Sequence, residues 1–437
     1  MNDFFWRLEI SPHAQRVQRP DKNGESEFYQ KFRDFDDFTK HANRPSYISF
    51  ALGKKFNSGW EIQSQIAGSP NWLQTDQSVR FPQSLKDLDY SVNDIAFVRK
   101  SGENYSVKFG RDFLVWDPER TGTVLPNTLS SFDHFRLDYW TKTWYYHAFW
   151  GDIDARDNYA AENGFSKSLI GHRLELFFLE KFTFYVAEIV IVARNLSFAE
   201  MNPLFQNYHN LELNWRLHNI ITSFEFSAEI AKDSKIFLHI DLDEMESKSV
   251  EYNLEENSNP NTWAAQAGFI SPQFQAVVTK TSAWMYNHHG KKLDSDNTFV
   301  LVESFWAGEM EKFYRFIGYP LGGGVLVAES NLNIWNFTLG YRWMQRTPNH
   351  ILDDVDFIQK TEPTETRNRF SLCFEKQIQS KTNIYFSASA ERVNNFHHNA
   401  TDTNLFEILA GLRFCFGAQP AKQDKSLPSN TSRNFSK

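Results

Sequence analysis

Residues 405–416 read Leu-Phe-Glu-Ile-Leu-Ala-Gly-Leu-Arg-Phe-Cys-Phe, and they constrain the fold more than any other stretch. Phe406, Ile408, Ala410, Leu412, Phe414 and Phe416 share one parity, so an extended backbone puts them on one face. Glu407, Leu409, Gly411, Arg413 and Cys415 fall on the other face, which is mixed and partly charged. A half-buried strand of a soluble sandwich would also carry this pattern. The length and the aromatic end, however, suit a strand crossing a bilayer, which takes about 9–11 residues. Hydrocarbon offers no hydrogen bonds, so a spanning sheet must close on itself, most simply by pairing its last strand with its first. The candidate first strand covers residues 4–14, with Phe4, Trp6, Leu8 and Ile10 at period two.

Composition agrees with that reading. The 437-residue chain is polar on average, yet 16% aromatic with 41 Phe. Abundant aromatics without long apolar runs are what a membrane barrel needs, because lipid-facing residues alternate with a wet lumen. The most apolar run, residues 185–193, is interrupted by Glu188, so no helical span is expected. A net charge of -8 without a basic tract argues against nucleic acid as a partner. The two cysteines, Cys373 and Cys415, both fall on inward parity with one strand between theirs. That separation is roughly 9–10 Å, beyond the limit of about 7 Å for a bridge, and free thiols are expected. Met1 to Trp6 lacks a basic n-region and an apolar core, so export requires a leader that this sequence does not display.

Along the chain, period-two segments alternate with short turns and long polar stretches. Strand pairs are expected at 47–53 with 60–68, 95–100 with 105–110, and 135–140 with 144–150. Further pairs fall at 173–179 with 182–191, 224–230 with 236–242, and 370–374 with 384–390. Long polar segments occupy 152–170, 243–262, 287–297 and 345–367. Short turns at one rim and long loops at the other are the asymmetry of bacterial outer-membrane barrels. The clearest spanning strand is 335–343, with Trp335, Phe337, Leu339, Tyr341 and Trp343 on one face. Adding the terminal strands and weaker ones near Trp263, Gln275, Phe299 and Val325 gives about 18, an even number as such barrels prefer. The expected fold is therefore an all-β, antiparallel transmembrane barrel with short periplasmic turns, long extracellular loops and a few short helices. It forms a single domain over 1–417. Within that domain 14–45 is an irregular or helical insertion, with Phe28, Phe32 and Phe35 at helical spacing. Residues 418–437 form a disordered polar tail.

Residues 107–137 carry a further signal: Gly110-Arg111, then Trp116, Leu129-Ser130 and Phe132-Asp133. This resembles the signature segment of the Wzi family of capsule-assembly outer-membrane proteins. Other pieces follow in the family's order: Ala187-Glu188-Ile189, Met201-Asn202-Pro203-Leu204, Tyr208-His209-Asn210, then the acidic strand end at 239–244. Residues 263–269, then 278–288 ending Trp284-Met285-Tyr286-Asn287-His288, and the loop Tyr319-Pro320-Leu321-Gly322 complete the series. One departure is the turn after Trp116, where Asp117-Pro118-Glu119 lacks the family's glycines. The resemblance implies a lectin-like barrel of the bacterial outer membrane that holds capsular or other exopolysaccharide at the cell surface. Its other partners would be outer-membrane lipids and, during biogenesis, the barrel-assembly and export machinery.

Sugars are bound by aromatic faces and by planar polar groups that bond hydroxyls in pairs. Tyr286, Asn287, His288, His289, Asn349 and His350 supply such types in long loops and are the candidate glycan-facing residues. Arg111, Asp112, Asp241 and Asp243 are expected to form a lumen charge network. A carboxylate pair would also suit glycoside hydrolysis or a hard cation, but a polar wall paired with arginines explains Asp241 and Asp243 more simply. The adjacent pairs His288-His289 and His397-His398 point apart in extended backbone and make poor metal sites. Gly322-Gly323-Gly324 lacks the Lys-Ser/Thr of a phosphate loop, and no Gly-x-Ser-x-Gly elbow occurs. No metal, no cofactor and no enzymatic activity are expected. The alternatives are a porin-like channel for small solutes and, behind it, a barrel-embedded hydrolase. An open lumen would favour the channel; loop residues folded inside would disfavour it.

Overall fold

The computed structural model describes residues 3–18, 46–70, 88–89, 95–125, 131–153, 168–192, 218–244, 262–283, 285–286, 300–306, 310–348, 362–398 and 400–418. Eighteen antiparallel strands close into one barrel. The first, β1, has two parts, Asp3–Ile10 and His13–Gln18. It is followed by β2 (Ile48–Lys55), β3 (Trp60–Pro70), β4 (Ile95–Ser101), β5 (Tyr105–Asp112) and β6 (Phe132–Trp140). Next come β7 (Trp144–Asp152), β8 (Ser168–Phe178), β9 (Phe182–Val192), β10 (His218–Ala231), β11 (Ser234–Glu244) and β12 (Thr262–Ile270). The series ends with β13 (Phe274–Thr281), β14 (Val325–Ile334), β15 (Phe337–Arg346), β16 (Glu365–Gln379), β17 (Thr382–Asn394) and β18 (Thr403–Ala418). Every strand pairs with its neighbour in sequence, and β18 pairs with both parts of β1, from Trp6↔Ala418 to Gln18↔Phe406. Closure is thus between the first strand and the last. It leaves no edge, as a sheet in hydrocarbon must.

The two faces sort as the period-two pattern dictates. Phe406, Leu412 and Phe416 are exposed on the outer face of β18, while Leu409 is buried on the inner one. Phe337, Leu339 and Tyr341 are exposed outward on β15, as are Phe4, Trp6, Phe50, Leu52, Ile62, Val98 and Phe109 on the early strands. Beyond neighbours on the same face, such as Phe374 beside Phe337 and Phe370 beside Tyr341, these side chains are open to the surroundings, and lipid is the solvent that accepts such a belt.

Eight hairpin turns lie at one rim, including the two-residue connections Lys232-Asp233, Trp335-Asn336 and Ser380-Lys381. Positive φ at Asp233 (57°), Trp335 (53°), Leu179 (51°) and Glu180 (58°) supplies the left-handed backbone conformation by which tight turns match the right-handed twist of their strands. The first strand starts and the last strand ends at this rim, since Asp3 pairs with Lys55 and Trp6 with Ala418. The strand ends joined by long segments lie at the opposite rim.

Several details differ from the sequence reading. Trp335 belongs to a turn and not to a strand, and it is 94% exposed at the hairpin tip. The strand near Phe299 is not part of the barrel wall. It is Val300–Trp306, which pairs only with Met310–Phe316 in a separate two-stranded sheet. The first strand runs on through Gln18, past Ala14, where the sequence suggests that an insertion begins. The expected short helices reduce, among the described residues, to one turn at Phe396–His398. The proposed tail beyond Ala418 and the stretch 19–45 lie outside the described residues.

Candidate functional site

After Asp112, at the long-loop end of β5, the chain turns inward. Leu114, Trp116, Thr123, Val124 and Leu125 are all buried, as are Asp117 and Arg120 between them. The Trp116 amide donates to the Leu125 carbonyl (3.4 Å) and that of Arg120 to the Asp117 carbonyl (3.3 Å), so residues 114–125 form a hairpin. Pro118 at the tip fixes a turn without glycine. The tip reaches the far end of the lumen. The Glu119 carbonyl accepts from Gln275 (2.9 Å), and its carboxylate lies 2.5 Å from Lys235; both partners sit beside short turns. The hairpin therefore runs most of the length of the barrel.

Charge and shape hold it there. Arg120 forms ion pairs with Asp117 (3.1 Å) and with Glu225 of β10, donates to Gln266 of β12 (3.1 Å), and stacks over the Phe237 ring at 4.1 Å. Burial disfavours the charged guanidinium, but Asp117 and Glu225 outweigh it and hold its pKa above the ordinary value. Arg173 of β8 donates to the Trp116 carbonyl (3.0 Å), lies 3.5 Å from Asp117 and stacks on Tyr185 at 3.9 Å. Trp116 meets His147 and Phe149 edge-on, each at 6.1 Å between ring centres. Leu114, Trp116, Val124 and Leu125 join Phe149, Leu169, Tyr185, Ile189, Ile221 and Val327 in one apolar cluster inside the barrel. Each fully buried side chain of that size contributes about 1.5–3 kcal/mol.

A second inward segment packs beside the hairpin. Ile317, Tyr319 and Leu321 are buried, and Leu125 donates its amide to the Ile317 carbonyl at 3.2 Å. Tyr286 is fully buried, its hydroxyl donating to the Thr123 carbonyl (2.9 Å) and its amide to Asp243 (2.7 Å). Burial raises the Tyr286 pKa, which keeps it a phenol and a donor. Tyr286 is thus a pin between wall and hairpin, not a residue of the glycan-facing rim, because a ring that large is buried only where the lumen offers both apolar walls and an acceptor. Asn287, His288, His289, Asn349 and His350 lie outside the described residues.

The expected charge network is divided. Asp112 faces the lumen and pairs with Lys108. Asp241 is fully buried, accepting from Ser223 (2.5 Å) and contacting His239 Nε2 at 2.8 Å, whose Nδ1 meets the Tyr185 hydroxyl at 2.7 Å. Asp243 holds Tyr286, as above. Arg111, in contrast, is not a lumen residue. It pairs with Asp133 on the outer face, one residue on from Gly110, which faces inward opposite His134. Gly110 has φ of 125°, and a side chain there would collide with the Ala96 carbonyl. Asp241 and Asp243 are therefore not a convergent pair around an open substrate space. No group of three or more metal-ligating residues occurs among the described residues.

Sequence reasoning missed Arg120, Glu225, Arg173 and Tyr185, which fix the hairpin. The available signal was the run of Leu114, Trp116, Val124 and Leu125 in a segment otherwise reading as loop, too apolar to stay in water.

No known family signature matches the sequence, and no characterised protein matches it by sequence alone. Many solved structures match in fold. Among them is Wzi of Escherichia coli, an outer-membrane protein involved in group 1 capsule assembly and described as a carbohydrate-binding β-barrel. It is 11% identical, with a TM-score of 0.56 over 94% of this chain and 84% of that one. OpdK of Pseudomonas aeruginosa, crystallised with vanillate, is 8% identical with a TM-score of 0.49 over 95% and 99%. OprD of Pseudomonas aeruginosa is 12% identical with a TM-score of 0.47 over 96% of each chain. The chain is an outer-membrane β-barrel.

Proposed function

We propose that this barrel binds and anchors capsular or other exopolysaccharide at the cell surface, in the manner of the Wzi family. The observation that carries the reading is the buried hairpin 114–125. A lumen occupied by a hairpin with its own ion pairs is poorly suited to passing solutes, and it moves the working surface to the long-loop rim. The likeness to Wzi, a carbohydrate-binding barrel, supports the same direction. So does the segment 107–137, whose resemblance to that family falls on the hairpin itself. With the first strand starting and the last strand ending at the short-turn rim, the long-loop rim faces the exterior. On this reading the protein is a binder without catalytic activity, and Asp241 and Asp243 serve structure.

The test is retention of polysaccharide on cells. Deleting residues 349–361 leaves the paired residues Arg346 and Glu365 in place. It should spare the barrel and reduce surface-bound polysaccharide, with more released to the medium. Unchanged retention after deletion of the whole gene would remove the anchor reading. A channel for small solutes is the second reading, favoured by the part of the lumen that the hairpin leaves unfilled. A stable ion conductance in planar bilayers together with unchanged retention would select it.

A further inference from the structure

The filling of the barrel is one-sided. On β6 to β13 the inward residues are buried against the hairpin: Phe149, Tyr185, Glu225, His239, Ala264 and Gln266 are each at most 6% exposed. On β14 to β18 the inward face is buried toward the long-loop end, at Val327, Met344, Arg367 and Glu391, but much of it stays open to solvent toward the short turns. Asn333, Cys373 and Glu375 are exposed there, and Asn331, Ser371, Ser387 and Glu407 are half-exposed. Between this wall and Thr121 with Tyr319–Leu321 lies a cavity of about 630 Å³, within the range of small-molecule sites. Its lining reaches Trp335 and Asn336, so it opens at the short-turn rim, opposite the surface proposed to hold polysaccharide.

Strand register explains why the space exists. Glu329, Arg342, Arg369 and Glu391 are lateral neighbours on four consecutive strands. The next two rows toward the turns carry Gly340, Ser371 and Ser389, then Thr338, Cys373 and Ser387. Small side chains in two adjacent rows leave a hollow bounded by long polar ones. Charge in the lining balances: Arg342, Arg369 and Arg413 against Glu329, Glu375 and Glu407. An ion entering this space would find no net counter-charge, whereas hydroxyl groups, which donate and accept at once, match closely spaced guanidinium, amide and carboxylate groups.

We propose that this cavity is a second binding site, open to the periplasm, for a short uncharged saccharide. It lies at the other end of the barrel from the rim reading and does not depend on it. The probe is Cys373, an inward thiol on the cavity floor. In full-length protein carrying Cys415→Ser, Cys373 is expected to react with a small cationic thiol reagent in the folded, detergent-solubilised state. Maltotriose, cellotriose or isomaltotriose should slow that reaction; a ligand at about four times its Kd slows it about fivefold, because only the empty cavity reacts. Trigalacturonate, of similar size but triply charged, should slow it much less. Ser371→Trp should abolish the saccharide effect while leaving heat-modifiable migration and polysaccharide retention on cells intact. An unreactive Cys373, absence of protection by all three neutral trisaccharides, or stronger protection by trigalacturonate would each overturn the proposal. Failure of the rim reading would instead appear as unchanged retention after loop deletion, with Cys373 protection unaffected.

Discussion

Replacing Arg120 by Ala tests how the lumen is closed. Its guanidinium is shared between Asp117 at 3.1 Å, Glu225, Gln266 at 3.1 Å and the Phe237 ring at 4.1 Å, and the side chain is almost completely buried. Removing it leaves the buried Asp117 and Glu225 carboxylates without their shared cation. Breaking one partner of a buried ion pair costs about 3–5 kcal/mol. Glu225 retains His239 at 3.5 Å, and Asp117 retains Arg173 at 3.5 Å, so the lower half of that range applies. The barrel ladder does not involve Arg120, so the loss falls on docking of the hairpin and not on the wall. Amide hydrogen exchange reads that opening directly. A loss of about 3–4 kcal/mol corresponds to exchange of 114–125 faster by roughly two to three decades, with β1 to β18 unchanged. Adding Glu225→Gln to the variant removes one orphaned charge and should recover part of the loss, as a coupled pair requires. Equal exchange of 114–125 in wild type and variant would refute the assigned role of Arg120, as would uniform loss of protection across all strands.

Other substitutions probe the wall and the pin. Leu339→Arg, on the lipid face, should lower refolding stability in lipid by about 2 kcal/mol, while Thr338→Arg, its lumen-facing neighbour, should cost clearly less; equal costs would contradict the assigned faces. Tyr286→Phe leaves the Thr123 carbonyl without its donor and should cost about 1–3 kcal/mol, measured as exchange at 123–125. Gly110→Ala forces a side chain into positive φ against the Ala96 carbonyl and should destabilise the barrel by about 1–3 kcal/mol, read as a lower temperature for the gel-mobility shift; no shift would show that the strand end relaxes freely.

The barrel was legible because membrane strands write their faces into the chain. Trp6 and Leu8, Leu339 and Tyr341, and Phe406 to Phe416 alternate with polar residues, and only extended backbone puts them on one side. Trp335 misled, since its parity continues that of Phe337 and nothing local separates a strand residue from the tip of a two-residue turn. Arg111 misled for a similar reason. Charge at a strand end reads as lumen, but at the rim an outward Arg111 reaches Asp133 on the next strand. The interior was the least legible part. The partners of Arg120 lie 105 and 146 positions away, at Glu225 and Gln266, and only closure of the barrel brings them together. Tyr286 looked like a sugar platform because its type fits one, and burial decides otherwise.

The hairpin fills one side of the lumen and leaves no wide passage. Single-channel recording in planar bilayers tests it most directly, on wild type and on a variant with 114–124 replaced by a short Gly-Ser linker. The expected result is no stable conductance from wild type and a steady open pore from the variant. A large, stable conductance from wild type, unchanged by the replacement, would contradict it.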